Sequence, residues 1–421
     1  MKEVIENFKK LTQIPHCSFD TVKMRDFLNT FSQERGFKTQ IDKAGNIHCV
    51  KGSPKVCLQS HYDMVCMGNA PKIELFEENG FLRAKNSSLG ADNGIGVAIM
   101  MQMMKEFDDL ECLFTNDEEV GLLGANALEH TLLSKQLLNL DHELENEVVI
   151  GCAGGVDISV DLNVSYEEKF AKVFELEAVG FKGGHSGIDI INEIPSAIKE
   201  MASFIAKNNG QIIEFQGGER INSIAKHAKA LVFFEENPKE SQNISCKFIG
   251  EKKAFFCKQS KLMLNAINAF SQGVRAYDIK LNIVRTSINL SLVKLEKERV
   301  GFELFGRSNM LDELKKLEFE SKIFFESFGF NVAFSNFYAP WEGQENTFSD
   351  KVLKALKSKI KNAKILAVHA GLECGIIEKK QKLLCASIGP NIFNPHSTDE
   401  RCELSSVEKI SQVVRLILKQ S

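Results

Sequence analysis

The hydrophobic periodicity of this chain changes twice, and these two changes constrain its fold more than any other feature. Over the first 150 residues helix and strand patterns alternate, as in a layered α/β domain. Residues 3–11 and 20–35 carry apolar positions at helical spacing. "NIHCV" and "KVCLQSHYDMV" read as strands, with Gly52-Ser53-Pro54 as the turn between them. "DNGIGVAIMMQMMKEF" reads as a helix opening on Asp92 and Asn93, residues suited to a helix start. After Gly154-Gly155 the period falls to two, in "VDISVDLNVSYE" and "AKVFELEAVGF", with "CKFIGEKKAFFC" a further strand and helical stretches such as "MLDELKKLEFESKIFFESFG" between strands. Near residue 347 the α/β pattern returns: helix, strand, strand, and a closing helix "SVEKISQVVRLILK". A chain that leaves one texture and comes back to it carries one domain inserted into another. The expected division is a discontinuous α/β domain, 1–154 and 343–421, around an α+β domain at 155–342.

A length of 421 residues is long for one hydrophobic core and agrees with two lobes. With 43% hydrophobic and 26% charged residues the composition is that of an ordinary soluble protein. A formal net charge of -4 offers no basic face for nucleic acid. No apolar run reaches the length that spans a membrane. The opening "MKEVIENFKKLTQIP" reads as a charged amphipathic helix rather than a secretion signal. Eleven cysteines without a CxxC pair suggest reduced thiols in a cytoplasm, not a disulfide framework.

Within "LQSHYDMVC", His61 and Asp63 interrupt an apolar run, where polar side chains need partners or a task. Four further segments place similar residues at strand ends or in the loops that follow. Asp92 lies in "LGADNGIG", Glu118 and Glu119 in "FTNDEEVGLLG", Asp141 in "LLNLDHE" and His396 in "FNPHSTDE". Singly, each has a bland reading: a paired core histidine, a solvated turn, a tight helix start. Together they fall where an open α/β sheet assembles its sites, outside the strand C-termini. Imidazoles mixed with carboxylates suit Zn²⁺, and also Mn²⁺ or Co²⁺. A bridging carboxylate would let two such ions sit about 3.5 Å apart. Glu118 and Glu119 point to different sides of an extended segment, so one can bind metal while the other takes a proton. A phosphate loop at "GADNGIG" would need a lysine that is missing.

These segments, with "GCAGG", "GFKGGHSGIDI" and "HAGLECG", resemble the M20 family of co-catalytic zinc peptidases, and within it the aminoacyl-histidine dipeptidase (peptidase D) branch. The likeness spans nearly the whole chain. It implies an α/β zinc-peptidase catalytic domain with a mixed central sheet flanked by helices, plus an inserted α+β lid or dimerisation domain. It implies two divalent metals, most simply Zn, with Mn or Co as alternatives. His61 and Asp141 would bind one metal, Glu119 and His396 the other, and Asp92 both. Asp63 would orient His61, Glu118 would be the general base, and His185 would stabilise the oxyanion. Asn222, Arg307, His369 and Glu373 would contact substrate: Arg307 its carboxylate, Glu373 a free amine. The implied activity is hydrolysis of dipeptides, Xaa-His and broader, by a cytoplasmic homodimer joined through the lid, with His185 presented to the partner's metals. Rival readings are an N-acyl amino acid deacylase or tripeptide aminopeptidase on the same scaffold, and a non-enzymatic metal-binding or scaffold protein. The chain departs from the family pattern in its shorter length, in the aromatic Tyr62, and in lacking a proline after Ile224.

Overall fold

The computed structural model describes residues 2–239, 241–279 and 282–420. Two compact units divide the chain. One comprises Met1–Cys152, Trp341–Ala367 and Leu372–Ser421; the other comprises Ala153–Pro340 and Val368–Gly371. The segment 368–371, expected with the discontinuous α/β domain, belongs instead to the second unit. The backbone shows why: Ala153 N donates to the carbonyls of Val368 and Ala370, both at 3.1 Å.

The first unit is built on an eight-stranded mixed sheet. Its order is Lys38–Ile41, Ile47–Lys51, Leu110–Thr115, Val56–His61, Gln136–Asn139, Leu384–Ser387, Glu147–Cys152 and Lys364–Val368. The strand Val56–His61 runs parallel to both neighbours, and all six of its residues are buried. Burial on both faces explains why "KVCLQSH" reads as a run rather than an alternation. Helix Ala91–Glu106 packs on this strand and on Lys2–Leu11. From Asn93 to Met104 it is buried all round, so its apolar residues show no single stripe. Leu404–Lys419 packs on Thr347–Lys357, whose start is fixed by Asn346 in a capping box with Ser349.

Strand register places the site. Gln59 pairs with Asn139, so His61 and Asp141, each two residues further on, emerge side by side. His61 itself pairs with Thr115, three residues before Glu118. A small four-stranded sheet, Ile392–Phe393, Arg401–Glu403, Phe81–Ala84 and Leu75–Glu78, joins the C-terminal loop that carries His396 to an early hairpin.

The second unit holds a nine-stranded antiparallel sheet from the edge strand Ile244–Cys257 to Asn331–Tyr338, with helices Ala197–Lys207, Ser260–Ala269 and Leu311–Ser327 and its own apolar core. Among the described residues no helix is long and apolar enough to cross a membrane. One expectation is corrected. Cys17 and Cys66 form a disulfide, because a bridge between Cys17 and Met64 brings their Cα atoms to 5.5 Å. Of the nine free cysteines all but Cys246 are buried, as small apolar side chains.

Candidate metal centre

Asp92 is the centre of the arrangement. Its Oδ1 lies 3.2 Å from His61 Nε2 and its Oδ2 3.0 Å from His396 Nε2, so one carboxylate faces two imidazoles with different oxygens. Asp141 Oδ1 is 3.2 Å from His61 Nε2, and Glu119 Oε2 is 2.9 Å from His396 Nε2. Two triads share Asp92, His61–Asp92–Asp141 and Asp92–Glu119–His396, and a third group, His61–Glu118–Glu119, lies beside them; in each the donor atoms are within 4.8 Å of one another. Glu118 brings Oε2 to 4.0 Å from His61 Nε2.

Asp63 does two things. His61 Nδ1 lies 3.0 Å from its carbonyl oxygen and 3.4 Å from its carboxylate, which leaves Nε2 for the triad. The same carboxylate accepts from the backbone N–H groups of Glu118 (3.0 Å) and Glu119 (3.3 Å) and from the Ser18 hydroxyl (2.8 Å). It therefore fixes the turn that carries the two glutamates. Tyr62, between His61 and Asp63, is buried and donates its hydroxyl to Gly45 O at 2.8 Å, so the unexpected aromatic packs without a role in either triad.

Sequence reasoning missed the anchor of the Asp92 loop. Glu400 is buried and accepts from four successive backbone N–H groups: Leu89 (2.7 Å), Gly90 (3.0 Å), Ala91 (2.8 Å) and Asp92 (3.3 Å). Its signal was the final acid of "PHSTDE". Asn93 was missed too; its side-chain N–H₂ bonds Leu140 O at 3.1 Å and the Asp141 carboxylate. The Asp92–Asn93 peptide is cis.

The electrostatics describe a cluster that lacks positive charge. Burial alone would lower His61 and His396, but the carboxylates around them outweigh it and hold both well above the usual imidazole range. Burial works against Asp92 ionising, yet the two imidazoles hold it well below the carboxylate range. Glu118 is raised far above that range by burial; His61 opposes this, while the charges of Glu119, Asp141 and Glu373 add to it. Glu119 is pushed up to about 7 by burial and the Asp92 charge. Burial likewise takes Glu373 and Glu400 to about 7. Glu119 Oε1 is buried and has no hydrogen-bond partner among the described residues. Two imidazoles, several carboxylates and an orphaned buried oxygen fit one or two divalent cations of the Zn²⁺, Mn²⁺ or Co²⁺ type.

A family model for peptidase family M20/M25/M40 matches residues 57–420. The chain belongs to this family. Among M20 relatives, it is 28% identical to the cytosol non-specific dipeptidase of Escherichia coli (strain K12), over 98% of this chain and 96% of that one. The crystal structure of aminoacylhistidine dipeptidase from Vibrio alginolyticus superposes with a TM-score of 0.75 at 27% identity, covering 98% of this chain and 96% of that chain. A tripeptidase structure from Staphylococcus aureus shares the M20 fold with a TM-score of 0.62 at 18% identity, covering 99% and 97%.

The remaining expected residues fall into two places. Glu373 lies in the first unit, at the first position of helix Glu373–Gln381. His185, Asn222, Arg307 and His369 lie in the second unit. There Arg307 Nη2 is 3.4 Å from His185 Nε2, and the guanidinium stacks 4.3 Å over Phe305. The N–H groups of Gly187 (3.3 Å) and Ile188 (3.1 Å) donate to His185 Nδ1. The carbonyl of Asn222 accepts from Ser186 N at 2.8 Å, tying the His185 segment to its partner strand. His369 has both ring nitrogens engaged: Nδ1 with Asn309 Oδ1 at 2.9 Å and Nε2 with the Ser287 hydroxyl at 2.7 Å. Burial, helped by the Arg307 charge, lowers its pKa to about 3, so it is neutral.

Proposed function

We propose that this protein is a metal-dependent dipeptidase acting on Xaa-His and a broader set of dipeptides. The observation that carries the reading is the shared Asp92 carboxylate, which joins two three-residue donor sets beside Glu118. That the Escherichia coli and Vibrio alginolyticus relatives are dipeptidases supports it.

His61 and Asp141 would hold one ion, Glu119 and His396 a second, and Asp92 both, with Zn the first choice. Such ions, when bound, supply Lewis acidity that polarises the scissile carbonyl and acidifies the attacking water. The chain's own residues do the rest. Glu118 takes the proton of the attacking water and passes it to the leaving nitrogen, a role worth roughly 10²–10⁴-fold. Asp63 keeps His61 in one tautomer and holds the Glu118 backbone. In the second unit, His185 would donate to the oxyanion and Arg307, whose guanidinium suits bidentate carboxylate binding, would take the peptide's carboxylate. Asn222 would face the same substrate. We further propose a cytoplasmic homodimer joined through the second unit.

The test is a hydrolysis screen with metal-free protein given Zn²⁺, Mn²⁺ or Co²⁺, using Xaa-His and other dipeptides, tripeptides and N-acyl amino acids. Metal-dependent cleavage led by dipeptides supports the reading. A lead by N-acyl amino acids or tripeptides replaces it with one of the rival hydrolases, and no cleavage at all points to a binding protein.

A further inference from the structure

The one disulfide among the described residues lies against the metal centre. Cys17 precedes Ser18, whose hydroxyl donates to Asp63 Oδ2 at 2.8 Å, and Cys66 follows Asp63 by three residues. The segment 16–19 touches the centre at further points. Met64 N donates to His16 O at 3.1 Å, and Ser18 N donates to Met64 O at 3.2 Å. Phe19 N donates to Asp117 Oδ1 at 2.7 Å, beside Glu118. A Cβ on Gly90, two residues before Asp92, would lie 3.8 Å from His16 Nε2. Around Cys66, the Ser88 hydroxyl donates to Val65 O at 2.7 Å and accepts from Met67 N at 3.0 Å, four residues before Asp92. The link therefore joins two short segments that between them hold Asp63, the Glu118 turn and the Asp92 loop.

Three observations favour a link that opens and closes. Nine cysteines remain free thiols, which suits reducing surroundings, where a disulfide is usually transient or redox-sensing. Cys17 and Cys66 are half-buried, within reach of a small thiol, whereas every other cysteine of the first unit is buried. Burial holds Cys49, Cys57, Cys112, Cys374, Cys385 and Cys402 above the usual thiol range, which keeps them out of exchange. The segment also has a reason to relax. Phe19 holds a φ of 67° with its side chain 73% exposed, a left-handed conformation that packing of the ring does not offset. We propose that Cys17 and Cys66 form a reversible thiol–disulfide exchange site that controls metal retention through Ser18 and Asp63. Two molecules of a small thiol such as glutathione supply the electrons. One thiolate attacks a sulfur of the link and expels the other as thiolate; the second displaces the mixed disulfide. Two protons end on Cys17 and Cys66, and the reagent leaves as its own disulfide. Exchange with that disulfide closes the link again. Closed, the link keeps Ser18 on the carboxylate of Asp63, the residue that orients His61; open, it releases that donor. The inference rests on the triads being metal ligands.

The test equilibrates metal-free protein with glutathione and glutathione disulfide at set ratios, then removes both without air. Mass spectrometry of trapped thiols should show Cys17 and Cys66 changing together while the buried thiols stay as they were. The open form should bind Zn²⁺ about tenfold more weakly in chelator competition, the low end for losing a group behind a metal ligand. Amide exchange, read without metal, should quicken at 16–19 and 63–67 and not in the central strands. Glutathione disulfide should reverse both changes. The Cys246→Ser variant, which lacks the exposed thiol, should respond in the same way; a response lost with Cys246 overturns the assignment. Ser18→Ala with the link closed should lose most of the same affinity, and wild-type affinity there overturns the route through Asp63. Equal affinity and exchange in the two states, or a pair that glutathione neither opens nor closes, overturns the proposal. Faster exchange throughout the first unit overturns it too, by making the link a staple of the whole fold. If neither state binds metal, the metal reading falls instead, and amide exchange still decides whether the link governs the Asp63 segment.

Discussion

Glu118 and Glu119 are adjacent in sequence, and the proposed function gives them opposite tasks. Glu119 is spoken for by His396, whereas Glu118 stands at 4.0 Å from His61, close to both triads yet outside the tighter contacts. Glu118→Gln should therefore retain both metals, measured by mass spectrometry, while kcat falls at least 100-fold. Activity within a few-fold of wild type would remove Glu118 as the base. Asp92→Ala should empty both triads, since both use that carboxylate; two equivalents of tightly held metal would contradict the bridge. His369 gives a prediction with a defined sign. Its folded pKa is lowered, so its contribution to stability is present above the unfolded value of about 6.5 and is lost as pH falls toward about 3. An NMR titration of its ring should show no protonation above pH 4, and a midpoint near 6.5 would exclude the buried neutral state. At this scale the triads were legible because each of their residues sits in a short polar motif beside an apolar run. Glu400 was not, because its partners are main-chain N–H groups some 310 positions upstream, which leave no mark on side-chain pattern.

The glycine-rich turn into Ala91–Glu106 shows how an element can be set by close approach. A Cβ on Gly96 would lie 2.5 Å from Ser60 Oγ and 2.9 Å from the Leu140 carbonyl oxygen, in a region where neither can retreat easily. Gly96→Ala should push the helix off the His61 strand and off the residue preceding Asp141, costing about 1–3 kcal/mol of stability. Calorimetry would show the loss, and weaker metal retention would show its reach. An alanine variant as stable as wild type would mean that the helix start yields more easily than its contacts suggest. The helices and most central strands could be read from periodicity. The Cys17–Cys66 link could not, because it depends on the chain from Pro15 to Phe19 lying beside Met64.

Taken as a whole, the first unit stores unbalanced acid that protons or metal must neutralise. Without metal, the raised values of His61, His396 and Glu119 mean that their stabilisation is full below the unfolded values and is lost as pH rises through the folded ones, about 7 for Glu119. Metal replaces those protons, so its benefit grows over the same window. The rise in Tm on adding Zn²⁺ should be small at pH 5 and large at pH 7.5, by scanning calorimetry at matched ionic strength. An equal rise at both values would show that the histidines are not ligands. For the proposed dimer, mixing His185→Ala chains with Glu118→Gln chains should restore part of the activity if His185 serves the partner. Proven subunit exchange without recovery would mean that the trans role of His185 is wrong.

The alternation of textures revealed two units but not how often the chain moves between them. It does so four times, and the brief return at Val368–Gly371 carries His369 to its partners Ser287 and Asn309. This has a consequence for descent. A module bounded by two junctions can be exchanged between relatives by one recombination event, as a cassette. Here such a swap would import Ser287 and Asn309 from one parent and leave His369 to the other. Chimeras cut only at 152/153 and 340/341 should therefore be tolerated chiefly when the donor preserves that three-residue match, so inheritance of the second unit is tied to four residues encoded far beyond it.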